Sequence, residues 1–226
     1  MEPQEYTQCR IHEDETGKRS RLNAMLRQKL QNLLPAGGDY SLVAGLHAAR
    51  RDFVNDAGDS GGSPRIGIVV QGGKCMEEKG RLVHCGVAGC FVDGSGSSGL
   101  SYVTDAPYLS LSLGLNNRLV RRLMVEGKSS IRTGRPGLLL PEESVAAADA
   151  SMVDAFLRLV RLVDRPDQVR FLAPLIIKEI HYRMLIGPLG EKVRTLHSRR
   201  TCDCSCGYTL ERAFGWLFKR QWPRRE

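Results

Sequence analysis

The sequence predicts an α+β fold in which short antiparallel strands form a sandwich or barrel, with a helix before it and a helical hairpin after it. Apolar residues follow a helical period near the N-terminus, alternate between about residues 40 and 116, and return to a helical period after residue 117. Gly and Ser residues divide the middle region into short pieces. Short strands at close spacing are typical of antiparallel sheets and not of βαβ units.

The composition of the chain is that of a globular protein. Of its 226 residues, 42% are hydrophobic and 26% are charged, which excludes disorder as the main state. The sequence contains no run of about 18 apolar residues, so no membrane span is predicted. The first residues lack the pattern of a signal peptide. We therefore expect a cytoplasmic protein. The seven cysteines are odd in number and favour reduced thiols over a disulfide framework.

The first predicted element is an amphipathic helix that begins at Ser20, a candidate N-cap, and ends at the break that starts with Pro35. Its apolar face carries Leu22, Met25, Leu26, Leu30 and Leu33. Residues 1–19 are polar and have no apolar period, so they are predicted to be a flexible arm.

The predicted strands come next. One strand contains Ile66, Ile68 and Val70 and is expected to end at the glycine pair 72–73. Residues 78–80 predict a hairpin turn into a strand at 82–85, and residues 86–99, rich in Gly and Ser, are expected to be mostly turn. The clearest strand signal is at 109–115, where Leu alternates with Ser or Gly, so that the leucines share one face.

The helical region begins with a short helix at 119–124, followed by a loop at 132–140. An apolar stripe at 152–163 predicts a longer helix that ends at the polar break 164–167. A further helix is predicted from Val169 to the Gly187-Pro188 stop, with a kink or a new first turn at Pro174. The tight link between the last two helices predicts an antiparallel hairpin.

Three segments, in this order, resemble the N-terminal effector-binding domain of AraC-type transcriptional regulators. They are 64–74 (PRIGIVVQGGK), 99–116 (GLSYVTDAPYLSLSLGLN) and, the most specific, 172–190 (LAPLIIKEIHYRMLIGPLG). The resemblance covers roughly residues 20–196. It implies a cupin-like antiparallel β-barrel, or jelly roll, at about 40–116 that binds a small-molecule effector. It also implies helices at about 117–190, and pairing as a homodimer or a mixed dimer with a full-length regulator.

Regulators of this kind usually carry a DNA-binding domain with two helix-turn-helix units, which needs roughly a hundred residues. Only 36 residues follow Gly190, and 210–216 (LERAFGW) are similar to the start of its first helix, so we expect a truncated regulator. Residues 197–226 are predicted to be a basic remnant. From Arg194 onward, eight basic and three acidic residues give +5 of the formal +8. This predicts at most a weak, non-specific attraction to DNA, and a merely solvated tail is the alternative.

The candidate effector-binding residues are those that alternate along barrel strands, because alternate side chains face a barrel interior. They are Ile66, Ile68, Val70, Tyr102, Leu109 and Leu111. The hydroxyl of Tyr102 would orient a polar ligand. The alternative is a core filled by these side chains without a cavity.

No catalytic residue, cofactor or metal site is predicted. The histidines (His12, His47, His84, His181 and His197) lack the His-x-His spacing of metal-binding cupins. A soft metal at Cys202, Cys204 and Cys206 is an alternative, although paired C-x2-C spacing is missing. No serine is predicted to lie in a strand-to-helix elbow such as that of G-x-S-x-G enzymes. A small cupin-type metal-dependent enzyme, an isomerase or dioxygenase, is the second hypothesis, and a degraded gene product is the third.

Overall fold

The computed structural model describes residues 3–55, 63–78, 80–94, 101–127 and 144–200, and within these ranges it shows one seven-stranded antiparallel sheet. The strand order is β1-β2-β6-β3-β5-β7, and β4 pairs with the second half of β3. The strands are β1 Gly38–Ser41, β2 Leu46–Arg51, β3 Arg65–Glu78, β4 Arg81–Cys85, β5 Gly89–Asp93, β6 Ser101–Gly114 and β7 Val145–Ala147. Over the described ranges the sheet is open, and its closure into a jelly roll stays an expectation.

The described part of the chain also contains five α-helices, which confirms the α+β class. They are α1 Pro3–Leu33, α2 Asn117–Glu126, α3 Ala150–Arg161, α4 Pro166–Ile186 and α5 Gly190–Arg200. None of these helices is long and apolar enough to cross a membrane. Residues 132–140, predicted as a loop, and the tail from residue 201 onward lie outside the described residues.

The first helix begins earlier than the sequence predicts. Helix α1 starts at Pro3, so Ser20 is an interior residue and not an N-cap, and most of the segment 1–19 is helical. Residues 1–19 lack an apolar period, so the sequence gives no sign that this segment packs against a core. Its Glu, Gln and Arg residues nevertheless have high helix propensity, which explains why most of it is helical. Pro3 is compatible with the first helical position, where its missing N–H is not needed.

The helical region follows the predicted order. Asn116 caps α2 by accepting a hydrogen bond from Leu119 N at 3.0 Å, and Asp149 caps α3 in the same way from Met152 N at 2.6 Å. Helix α4 continues through Pro174 and ends before Gly187, so Pro174 does not start a new helix. Helix α5, beyond the Gly187-Pro188 stop, was not predicted as a separate element.

Two predictions about the strands are wrong. Strand β3 does not end at the glycine pair 72–73, because Gly72 adopts a φ of +70° and forms part of a bulged segment where the pairing with β6 shifts. A Cβ at Gly72 would lie 2.2 Å from the carbonyl oxygen of Asp105. The segment 86–99 contains β5, whose Cys90, Phe91 and Val92 are buried.

The predicted hairpin between β3 and β4 is confirmed by the pairing of Glu78 with Arg81.

The sheet has two faces with different chemistry. The helix face carries the leucines of β6 and the isoleucines of β3, which share one core with apolar residues of α1, α3 and α4 such as Leu30, Phe156 and Ile180. The opposite face, which we call the serine face, carries Ser110 and Ser112 of β6 and a smaller apolar cluster. The predicted separation of leucines from small residues along β6 is therefore confirmed.

A buried histidine links the end of the sheet to the helices. His181 of α4 accepts a hydrogen bond at Nε2 from Asn116 N at 3.1 Å and donates from Nδ1 to Ile177 O at 2.8 Å. Burial lowers the pKa of His181, and a neutral imidazole supplies the one acceptor and one donor that these partners need. His181 thus holds the turn after β6 against α4.

We predict that Leu111→Ala lowers the free energy of unfolding by about 2–4 kcal/mol, because it leaves a cavity in the core between sheet and helices. Leu111 is 0% exposed, whereas Leu82 on β4 is 63% exposed. The matched control Leu82→Ala is expected to change stability by less than about 0.5 kcal/mol. Urea unfolding checks both values, and equal effects of the two substitutions would contradict the assignment of Leu111 to this core.

A polar cavity on the serine face as the candidate functional site

The structure separates the six predicted effector-binding residues into two groups. Ile66, Ile68, Val70, Leu109 and Leu111 are buried on the helix face, in the core that contacts the helices. Tyr102 instead lies on the wall of a cavity on the serine face. Leucine and isoleucine side chains pack against apolar helix surfaces, so the alternation along β3 and β6 leaves the other side of the sheet for polar groups.

The cavity has a volume of about 80 Å³, which is room for several water molecules or a small polar group. Its wall is built from five strands and combines charged residues, hydroxyl groups and aromatic rings. The lining residues are Asp39, Ala49, Arg51, Arg65, Lys74, Phe91, Asp93, Ser101, Tyr102, Val103, Tyr108, Ser110 and Ser112.

Lys74 is the unusual member of this wall. The residue is 8% exposed, and its Nζ lies 3.6 Å from the centroid of the Phe91 ring. Within the ranges that the structure describes, the Lys74 ammonium makes no hydrogen bond or ion pair. Burial lowers its pKa, and nearby Asp93 opposes this effect. A buried charge without a polar partner costs folding free energy, which singles out Lys74 as a functional candidate.

The other charged groups of the wall differ in whether they form an ion pair with a group of opposite charge. Arg51 donates to both carboxylate oxygens of Asp39, at 2.8 and 2.9 Å, so this pair is neutral overall. The side chains of Arg65 and Asp93 have no such partner among the described residues. His47, on the neighbouring strand, has its pKa lowered by burial and then by the charge of Arg65.

The hydroxyl and thiol groups near the cavity are protonated at neutral pH. Burial raises the pKa of Tyr108, and burial raises the pKa of Cys85 to about 11. A thiol in this state is a poor nucleophile, because the thiolate is the reactive form. Tyr108 therefore lines this wall as a neutral hydroxyl group, and Cys85 packs in the apolar cluster beside it.

A close contact fixes the Phe91 ring beside Lys74. Gly67 of β3 pairs with Phe91 on one side and Ser112 on the other. A Cβ at Gly67 would lie 2.4 Å from Phe91 Cζ and 2.4 Å from the carbonyl oxygen of Leu111. Only glycine lets the ring lie across β3 at this place.

Other titratable side chains are arranged outside this cavity. His84 Nε2 lies 3.1 Å from Thr104 Oγ1 and 3.5 Å from Asp105 Oδ2 on an exposed part of the sheet. Among the described residues, no group of three or more His, Cys, Asp and Glu side chains is placed to hold a metal ion. The cysteines at 202, 204 and 206 lie outside the described residues.

Sequence reasoning missed most of this wall. The predicted strand end at the glycine pair 72–73 leaves Lys74 outside the strand, and the predicted turn at 86–99 includes Phe91. The available signal was the serine face of β6, because Ser110 and Ser112 are small residues that leave space opposite the leucines.

An antiparallel sheet with one face packed on helices and a polar cavity on the other face can hold a small ligand. A family model described as the AraC-type transcriptional regulator N-terminus matches residues 42–192, and the chain belongs to this family. The resemblance found in the sequence is therefore confirmed. Regulators of this type bind small-molecule effectors and often dimerise.

The solved structures that are similar to this chain include the following two. Apo ToxT K231A from Vibrio cholerae strain SCE256 is 10% identical, with a TM-score of 0.42, over 81% of this chain and 72% of that one. The AraC-like transcriptional activator CuxR is 14% identical, with a TM-score of 0.27, over 77% of this chain and 56% of that one. A comparison with curated proteins gave no match.

We predict that Lys74→Met raises the free energy of unfolding at pH 7 by about 1–2 kcal/mol. Removing the desolvation cost of a buried ion, several kcal/mol, outweighs losing a cation–π contact of about 2 kcal/mol. The control Lys178→Met removes a half-exposed lysine that pairs with Glu126 at 3.0 Å, and it is expected to be neutral or slightly destabilising. A loss of stability in Lys74→Met would show that the lysine is a structural group.

We also predict that the effect of Lys74→Met on the free energy of unfolding depends on pH. Because the pKa of Lys74 is lowered on folding from 10.5, the unfolded chain binds more protons between the lowered pKa and 10.5. Wild-type stability therefore rises with pH through this window. The advantage of Lys74→Met is expected to be largest below the window and to shrink toward pH 10. Parallel urea titrations at several pH values measure this difference, and a pH-independent difference would contradict it.

We predict that Gly67→Ala lowers the free energy of unfolding by about 2–3 kcal/mol, because the new methyl group displaces Phe91 or the strand backbone. Gly114 on β6 is the control, since a Cβ there meets nothing within 4 Å. Gly114→Ala is expected to be neutral or stabilising by up to about 1 kcal/mol. Thermal unfolding of both variants tests the contact, and a fully stable Gly67→Ala protein would show that Phe91 does not lie over Gly67.

Proposed function

We propose that the chain is a non-catalytic regulatory domain whose effector site is the cavity on the serine face. The observation that carries this proposal is the buried Lys74 ammonium at the cavity wall, which has no polar partner among the described residues. Such a group is retained at a cost in stability when it has a function. The membership of the chain in a family of regulator domains supports the same role.

The proposed effector site keeps one of the predicted residues and replaces five. Tyr102 stays as a wall residue, and Ile66, Ile68, Val70, Leu109 and Leu111 support the site from the opposite side of the sheet. These five side chains are buried against helices, so a ligand on the serine face contacts their neighbours along each strand. Ser110, Ser112, Lys74 and Phe91 take their place in the proposal.

Two contacts support a route from this cavity to the helices. Strand β3 carries Lys74 in the wall and Glu78 at its end, and Glu78 forms an ion pair with Lys192 of α5 that is mostly shielded from solvent. Strand β6 carries the cavity serines and leads to Asn116, which is held by His181 of α4. A ligand that shifts β3 or β6 would therefore act on α4 and α5 through defined contacts.

We also propose that the domain forms a homodimer or a mixed dimer with a full-length regulator in the cytoplasm. Helix α4 supports this proposal, since Phe171 and Leu175 are 63% and 64% exposed and Leu172 lies beside them. Neighbouring exposed apolar side chains on one helix are common at protein interfaces. The basic C-terminal segment would add only a non-specific, salt-dependent attraction to DNA.

A bulky side chain that fills the cavity tests the proposed effector site. We predict that Ala49→Phe, in the wall formed by β2, abolishes thermal stabilisation by any small carboxylate, phosphate ester, amide, amine or sugar that stabilises the wild type. Ala24→Phe on the exposed side of α1 is the matched control and is expected to keep the response. Differential scanning fluorimetry of the full chain measures both. Stabilisation that persists in folded Ala49→Phe protein would place the ligand elsewhere and overturn the proposal.

A further inference from the structure

We infer that the cavity on the serine face binds an anionic ligand, a small carboxylate or phosphate ester whose oxygen atoms contact the Lys74 ammonium. This inference rests on the proposed effector site and adds the chemical class of its ligand. It is drawn from the charges of the wall, the partners of each charged group and the surroundings of Lys74.

The charge of the cavity wall is positive. Three cationic residues and two acidic residues line it, so the wall carries a formal charge of +1. Arg51 is matched by Asp39 through two hydrogen bonds. Of the remaining groups, Lys74 and Arg65 outnumber Asp93, and none of the three side chains is paired within the described part of the chain. An anion is the ligand that neutralises this excess.

Among the described residues, no acceptor uses the hydrogen-bonding capacity of Lys74. An ammonium group has three donors and no acceptor, and the Phe91 ring at 3.6 Å offers a π face but no oxygen or nitrogen acceptor. The Lys74 side chain is buried, so bulk water has little access to it. Carboxylate or phosphate oxygens would supply charge-assisted hydrogen bonds to these donors, which are stronger than bonds to a neutral acceptor.

The rest of the wall indicates what else the ligand contains. Phe91, Tyr102 and Tyr108 present aromatic surface, and Ser110 and Ser112 present hydroxyl groups. A ligand with a small apolar or aromatic body beside its anionic group matches this mixture. The volume of about 80 Å³ limits the part of the ligand that the described wall encloses to a few heavy atoms.

The test compares four probes that share one ring and differ in charge. Benzoate and phenyl phosphate are anionic, benzamide is neutral and benzylamine is cationic at pH 7. Isothermal titration calorimetry of the full chain measures each Kd for the wild type, Lys74→Met, Lys178→Met and Ala49→Phe. The ranking of benzoate and phenyl phosphate distinguishes a carboxylate site from a phosphate site.

The expected result is that at least one anionic probe binds the wild type ten-fold or more tightly than benzamide and benzylamine. Lys74→Met is expected to remove this preference, Lys178→Met to keep it and Ala49→Phe to abolish binding. Because Lys74→Met is expected to be more stable than the wild type, a loss of binding would not reflect unfolding.

Other outcomes separate the two proposals. If benzamide or benzylamine binds as tightly as the anions and Ala49→Phe blocks all of them, the anionic class is overturned while the effector cavity stands. The anionic class also fails if Lys74→Met keeps the anion preference. If no probe binds, or if Ala49→Phe leaves binding unchanged, both the anion inference and the proposed effector site are overturned.

Discussion

The two-residue period of strands β3 and β6 is the constraint on which the rest of this structure depends. It sends Ile66, Ile68, Leu109 and Leu111 to the helices and sends Ser110, Ser112 and Gly67 to the opposite side of the sheet. A shift of one residue in the register would exchange the two faces. The apolar core on the helix face therefore determines where the cavity lies, although none of its residues lines the cavity.

The cavity wall contains groups that a purely structural sheet would not need. The ammonium of Lys74 lies beside an aromatic ring, and the bulged part of β3 around Gly72 lets the strand continue and carry this lysine on the serine face. Gly67 provides the space that the Phe91 ring occupies. We expect the buried ammonium to lower the stability of the domain, which is the usual relation between stability and function in a binding site.

Much of the fold was predictable, and the wall of the site was less so. Periodicity predicted the first part of β3, the leucine part of β6 and the helices α2 to α4, and the turn residues 78–80 predicted the hairpin between β3 and β4. The short strands β1, β2, β5 and β7 carry too few residues for a repeated signal, and they were not predicted. Sequence reasoning misplaced the end of β3, since a Gly-Gly pair signals a turn unless a partner strand accommodates a bulge. It also assigned the lining to the leucine face, because sequence alternation separates two faces without showing which one the helices cover.

The titration of Lys74 is the most direct test of the central claim, which is that this buried ammonium binds an anionic ligand. In protein labelled with ¹³C at lysine Cε, NMR follows the titration of each lysine with and without benzoate. The account predicts that Lys74 titrates below the other lysines in the free protein and that benzoate raises its pKa. A Lys74 resonance that titrates with the exposed lysines and does not respond to benzoate would contradict it.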